Sequence, residues 1–150
     1  MIPTIEMAAE ALRSEDSQRQ REGVAMIEKL HREGNPTAAY AIGTWHLHGT
    51  HGYALSTEKA APYLQYATEH SIPEAAYDLG VLVETERLGT RARRDAFGHY
   101  VLAAILGDQE GAEEVARCFY WGIGTFRNRE AAEHIRRVLD RGEQQPLAAE

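Results

Sequence analysis

Residues 38–49 read AAYAIGTWHLHG, residues 75–86 read AAYDLGVLVETE and residues 112–124 read AEEVARCFYWGIG. The shared opening recurs at two equal steps of 37 residues. Self-similarity at a fixed period of this length marks an array of stacked repeats. In the first two copies Ala38, Ile42, Gly43 and His46 answer to Ala75, Leu79, Gly80 and Val83, at i, i+4, i+5 and i+8. That spacing draws one stripe along a helix. Glycine in a helix interior costs about 1 kcal/mol. Gly43 and Gly80 therefore need a packing reason, and the close approach of a second helix supplies one.

A second helical run follows each first one: residues 56–74, 93–111 and 128–142. Gly34, Gly107 and Gly142 lie just past helical runs, where a C-terminal cap calls for positive φ, and Ser71 takes that place once. Pro36 and Pro73 open the next helices at a position where a missing N–H costs nothing. Residues 1–35 look like an eroded unit, with one helix over TIEMAAEALRS and another over SQRQREGVAMIEKLHREG. The sequence thus predicts an all-α, α/α superhelical solenoid of about four helix-turn-helix repeats, eight helices in total. It divides into a single domain over 1–142, with a degenerate repeat 1–35, repeats 38–74, 75–111 and 112–142, and a flexible tail over 143–150.

Composition narrows the function. The 150 residues carry 16 basic and 23 acidic side chains, a net charge of −7. Attraction to phosphate backbones or anionic lipids is not expected, which argues against nucleic-acid and membrane partners. Charged residues interrupt every apolar stretch well short of a membrane span. The N-terminus shows neither a basic region with an apolar run nor a cleavage signal, and the one cysteine, Cys118, has no intrachain partner. A cytoplasmic protein is expected.

The chain resembles the Sel-one-like repeat (SLR) family, a relative of the tetratricopeptide (TPR) solenoids, from Gly34 to Gly142. Ala38, Tyr40, Ile42, Gly43, Gly49, Lys59, Ala60, Tyr63, Ala67, Pro73 and Glu74 carry the match in one unit. Ala75, Tyr77, Leu79, Gly80, Ala96, Tyr100, Ala103, Ala104 and Gly107 carry it in the next. The third unit keeps Ala112, Tyr120, Gly122, Gly124, Ala131 and Gly142 with a one-residue slip between its halves. It departs from the pattern at Arg117, where a helix glycine is expected, and the second unit has Glu86 to Thr90 in place of a Gly-x-Gly turn.

What the resemblance implies is a concave protein-binding groove lined by the first helices. Carried over position by position, it selects Tyr40, Thr44, Leu47 and His48, then Tyr77, Val81, Glu84 and Thr85, then Glu114, Cys118 and Trp121. The competing reading for Tyr40, Tyr77 and Trp121 is packing between neighbouring repeats. Trp45 is either a hairpin core residue or an anchor at the groove edge. Adaptors, host-interaction factors and toxin-immunity proteins occur in the family, and a small acidic chain suits an immunity or inhibitor protein that neutralises a toxin or secreted effector. A general adaptor or regulatory scaffold is the alternative. Neither the resemblance nor the residues name a partner or an oligomeric state.

Chemistry finds little support in the sequence. His46, His48 and His51 offer three imidazoles within six residues, a remote metal-binding alternative, but paired ligands on a helix want a separation of four. Cys118 with His99 or His134 has no nucleophile motif around it. No cofactor or metal and no enzymatic activity is expected. Arg127, Arg129, Arg136, Arg137 and Arg141, interspersed with Glu130, Glu133 and Asp140, read as a salt-bridged exterior, with a partner site as the alternative. Arg91, Arg93 and Arg94 form a smaller cluster at the start of another second helix.

Overall fold

A computed structural model describes residues 2–85 and 93–144. These form eight helices, and no strand occurs among the described residues. The helices are α1 (Ile5–Leu12), α2 (Ser17–Arg32), α3 (Pro36–His48), α4 (Thr57–Glu69), α5 (Pro73–Glu84), α6 (Arg93–Ile105), α7 (Gln109–Trp121) and α8 (Arg129–Gln144). Glu86 to Thr90, Arg91 and most of the expected tail lie outside the described residues.

Local chemistry explains where the helices begin and end. Thr4, Asp16, Asn35, Ser56 and Asp108 each accept a backbone N–H of the first turn through the side chain, satisfying a donor that the helix itself leaves unpaired. Pro36 follows the Asn35 cap as expected. At the other end, φ is +90° at Gly34, +67° at Ser71 and +100° at Gly107. After each, the next amide reaches back to the last turn: Asn35 N–H to the Leu30 carbonyl (3.0 Å), Ile72 to Ala67 (3.0 Å) and Asp108 to Ala103 (2.9 Å). This is the bonding of a Schellman stop. Gly142 differs from expectation. It lies inside α8, which continues to Gln144, and its φ is not positive.

These stops give a corrected period. Gly34 and Ser71 are 37 residues apart, but Ser71 and Gly107 are 36 apart. The helix starts agree: 37 residues separate Pro36 from Pro73 and 36 separate Pro73 from Gln109. Because Thr57 and Arg93 are also 36 apart, the lost residue lies between α5 and α6. The buried positions Ala38, Ile42, Gly43 and Trp45 in α3 therefore correspond to Ala75, Leu79, Gly80 and Leu82 in α5, and to Gly111, Val115, Ala116 and Cys118 in α7. Matching on Ala112 places the third copy one residue late. Ala116, not Arg117, stands where the helix glycine recurs.

The chain forms two compact units, Met1–Ala75 and Ala76–Glu150. In the first, Ala8, Ile27, Leu30, Ala38, Ile42 and Trp45 make the core, with Tyr53 and Tyr63 packed against it. Gly43 is where α3 meets α4, and a Cβ there would stand 2.9 Å from Leu64 Cδ2. In the second, Ala96, Tyr100, Val115 and Cys118 make the core, flanked by Tyr77, Val81, Phe97, Phe119 and Ile135. Gly80 repeats the role of Gly43 more tightly, since a Cβ would stand 2.6 Å from Tyr100 Cε1.

Candidate functional site

In the first unit, α3 carries Tyr40, Thr44, Leu47 and His48. Tyr40 and Leu47 are half-buried and His48 is exposed. The Thr44 hydroxyl donates to the Ala41 carbonyl at 2.7 Å, which ties it to its own helix. Trp45 belongs to the core, its ring beside His51 (4.8 Å) and Tyr53 (5.4 Å).

The three histidines do not converge. His46 is buried, with Nδ1 2.9 Å from the Ala54 carbonyl and its ring between those of Tyr53 and Tyr63. His51 lies on Trp45, and His48 faces outward. No group of three metal-ligating side chains occurs among the described residues. A longer-range tie that the sequence does not announce joins the same cluster: Tyr53 Oη donates to Glu28 at 2.7 Å. Burial, then the Glu28 carboxylate, pushes the Tyr53 phenol well above its ordinary range.

In the second unit, Tyr77 and Val81 pack on the core, and Thr85, exposed, donates to the Val81 carbonyl at 2.8 Å. Glu84 is committed. Arg117 Nη2 reaches both of its oxygens at 2.7 and 2.8 Å, while Nε reaches Glu114 at 2.6 Å. Tyr100 Oη adds a bond to Glu84 at 2.7 Å. Burial alone lowers a guanidinium's proton affinity, but two carboxylates reverse the sign and raise it at Arg117. The Tyr100 phenol is raised, first by burial and then by Glu84. Glu84, Glu114, Arg117 and Tyr100 thus form one partly shielded polar network linking α5, α6 and α7.

Cys118, expected on the binding face, is fully buried in the core. The cause is the register. With 36 residues between α5 and α7, Tyr77, Val81, Glu84 and Thr85 correspond to Glu113, Arg117, Tyr120 and Trp121. Cys118 takes instead the core place of Trp45 and Leu82. Burial pushes its thiol up to about 11, the opposite of what a nucleophile needs. Trp121 is exposed, with 60% of its surface open.

Arg117 and Tyr120 are what the sequence reading missed at this face, whereas Arg129 and Arg136 were named there with a partner site as the alternative. The signal was present in the chain stops, because counting from Ser71 to Gly107 gives the shorter step. The expected salt-bridged exterior on α8 is overturned as well. Among the described residues Arg127, Arg129, Arg136, Arg137 and Arg141 have no carboxylate within salt-bridge distance. Arg129 and Arg136 instead place their guanidinium carbons 4.8 and 5.5 Å from the centre of the Tyr120 ring. Their positions seven residues apart on α8 explain this, since two helical turns return a side chain to the same face.

Comparison with solved structures bears on this architecture. A Sel1 repeat protein from Oxalobacter formigenes superposes with a TM-score of 0.69 at 21% identity, covering 81% of this chain and 89% of that one. The chain has the SLR fold. The same fold appears in c5321, a protective antigen of uropathogenic Escherichia coli, with a TM-score of 0.75 and 17% identity over 96% of this chain and 34% of that protein. Cysteine-rich protein B of Helicobacter pylori matches at 0.61 and 18% identity, over 85% of this chain and 91% of its own. No protein-family model and no curated protein sequence matches the chain. An SLR fold accounts for the paired helices, the small residues at their crossings and the glycine stops.

Proposed function

We propose that this protein is a non-enzymatic binding module that recognises a partner protein through the outward positions of its first helices. One observation carries the reading: the repeat holds its buried positions while the half-buried and exposed positions beside them change chemistry from copy to copy. Ala38, Ile42 and Gly43 recur as Ala75, Leu79 and Gly80, then as Gly111, Val115 and Ala116. By contrast Thr44, Leu47 and His48 become Val81, Glu84 and Thr85, then Arg117, Tyr120 and Trp121. A constant scaffold with a changing face is what recognition requires and what a reaction centre does not. The SLR fold of the neighbours supports the same reading.

Within that class we favour an inhibitor or immunity protein acting on a toxin or secreted effector, in the cytoplasm, where a reducing environment suits the unpaired Cys118. No described helix is long and apolar enough to cross a membrane. The test is co-expression with a toxin encoded beside it. Growth rescue and co-purification support inhibition, and a toxin equally lethal with or without this chain excludes it. Independently, Leu47→Ala and Trp121→Ala are expected to weaken partner binding with helix content unchanged. Loss of stability with binding intact refutes the face.

A further inference from the structure

Tyr120 is the hub of a surface unlike any other among the described residues. Its ring carries the guanidinium groups of Arg129 and Arg136 and meets the Trp121 ring edge-on at 4.8 Å. The third cation, Arg127, donates from Nε to the Tyr120 carbonyl at 3.3 Å. Trp121 and all three arginines are exposed, and none of the three has a carboxylate partner among the described residues. On a chain of net charge −7 these are three clustered cations without an ion-pair partner among the described residues. A guanidinium held against a ring by cation–π attraction keeps its N–H edge available, and that edge matches a carboxylate in bidentate geometry. Trp, Tyr and Arg are also the residues most enriched where protein interfaces concentrate their energy.

We infer that the Tyr120, Trp121, Arg127, Arg129 and Arg136 surface docks an acidic protein segment that sets carboxylates on the arginines and an apolar side chain on Trp121. The inference deepens the proposed function and rests on it for the choice of protein as ligand. A polyanion such as nucleic acid fits less well. Arg136 also lines a cleft of about 390 Å³ whose walls include Glu113, Glu114 and Asp140, and these repel a continuous phosphate backbone. Those acids oppose carboxylates as well, so the segment fits when its two or three acids sit on the exposed arginine edges and carry no charge into the cleft, a spacing that a backbone charged at every unit does not allow.

The experiment pans a random-peptide display library on the full chain at low salt, then measures the synthetic selected peptide by fluorescence anisotropy. The expected consensus combines Asp or Glu with an aromatic or Leu. Its affinity is expected to fall by about tenfold or more in Arg129→Glu/Arg136→Glu, and to recover when the peptide's acids are exchanged for lysine. Both sites are exposed, so circular dichroism should show unchanged helix content; Arg129→Gln/Arg136→Gln gives the milder control. On binding, Trp121 should become shielded from acrylamide while buried Trp45 contributes a constant background. A neutral or basic consensus, or an acidic one indifferent to charge reversal, overturns the inference. Equal or tighter binding of a single-stranded DNA oligonucleotide overturns it too. A selected peptide that depends on Leu47 but not on Arg129 and Arg136 leaves the proposed function standing and removes this surface. The absence of any selected peptide counts against both.

Discussion

The two units solve one packing problem with different chemistry. Around Trp45 in the first unit, the polar atoms are closed off without an ion pair: His46 on a backbone carbonyl, Tyr53 on a single carboxylate, and rings on rings. In the second, the equivalent region is held by a charged network, with Arg117 between Glu84 and Glu114 and Tyr100 joined to it. Thr44 and Arg117 occupy the same place in the repeat, as do Leu47, Glu84 and Tyr120. The scaffold therefore tolerates wide changes at outward positions as long as the small residues at the crossings stay. That tolerance is what lets one side of the repeat vary for binding.

The largest effects of substitution are expected at the helix crossings. Gly111→Ala is expected to be the most damaging substitution, about 3 kcal/mol, because a Cβ would stand 2.7 Å from Ala103 Cβ and 3.0 Å from the Ala104 backbone nitrogen, neither of which can swing away. Gly80→Ala should follow at about 2 kcal/mol, since it presses on the rigid ring of Tyr100. Gly43→Ala should be mildest, about 1 kcal/mol or less, because Leu64 Cδ2 is the end of a flexible side chain and alanine improves helix propensity. Urea unfolding of the three variants checks the order, and a Gly43 variant as damaged as the Gly111 one breaks it.

A second contrast sets the ion-paired network of Arg117 against the single hydrogen bond of Tyr53. Arg117→Met leaves two carboxylates facing one another with their shared cation gone, a loss of about 2 kcal/mol after allowance for partial exposure. Tyr53→Phe removes one hydrogen bond to Glu28 and should lose about 1 kcal/mol. The two losses should separate in salt: raising ionic strength is expected to narrow the deficit of the Arg117 variant and leave the Tyr53 variant unchanged. Equal salt responses would show that the second unit does not depend on its charges.

The smallest effect expected is pH-dependent and confined to the second unit. Burial lowers the His99 pKa below its usual value, with Asp95 opposing. A base whose folded pKa is depressed stabilises the protein while neutral, so its contribution is present above about 6.5 and is lost as pH falls below that. Thermal unfolding of the wild type should therefore drop between pH 7 and pH 5, and His99→Gln should flatten that drop. An identical slope in the variant assigns the dependence elsewhere.

Much of the fold was legible because its signals are local. Pro36 and Pro73 mark helix starts by their own chemistry, and the glycines at 34 and 107 mark stops regardless of what packs on them. The candidate face was less legible. Placing Cys118 there came from matching on Ala112, and a helix turns about 100° per residue, so an error of one position exchanges a surface site for a core site. The same error hid Arg117 and Tyr120. For α8, alternating charges on one helix suggested ion pairs, whereas the arginines lie against a ring from the preceding helix.

The chain alone carried the repeat, the helices and the stops at Gly34, Ser71 and Gly107, because recurrence and turn chemistry are written in residue order, and the helix-interior glycines announced close crossings through their cost in propensity. Packing in three dimensions was needed for the burial of Cys118, the bond between Glu84 and Arg117 across 33 residues, and the seating of Arg129 and Arg136 on Tyr120. Those outcomes depend on the rotation of one helix against another, which a repeat pattern constrains only to within a residue. One residue is enough to change which side chains face a partner.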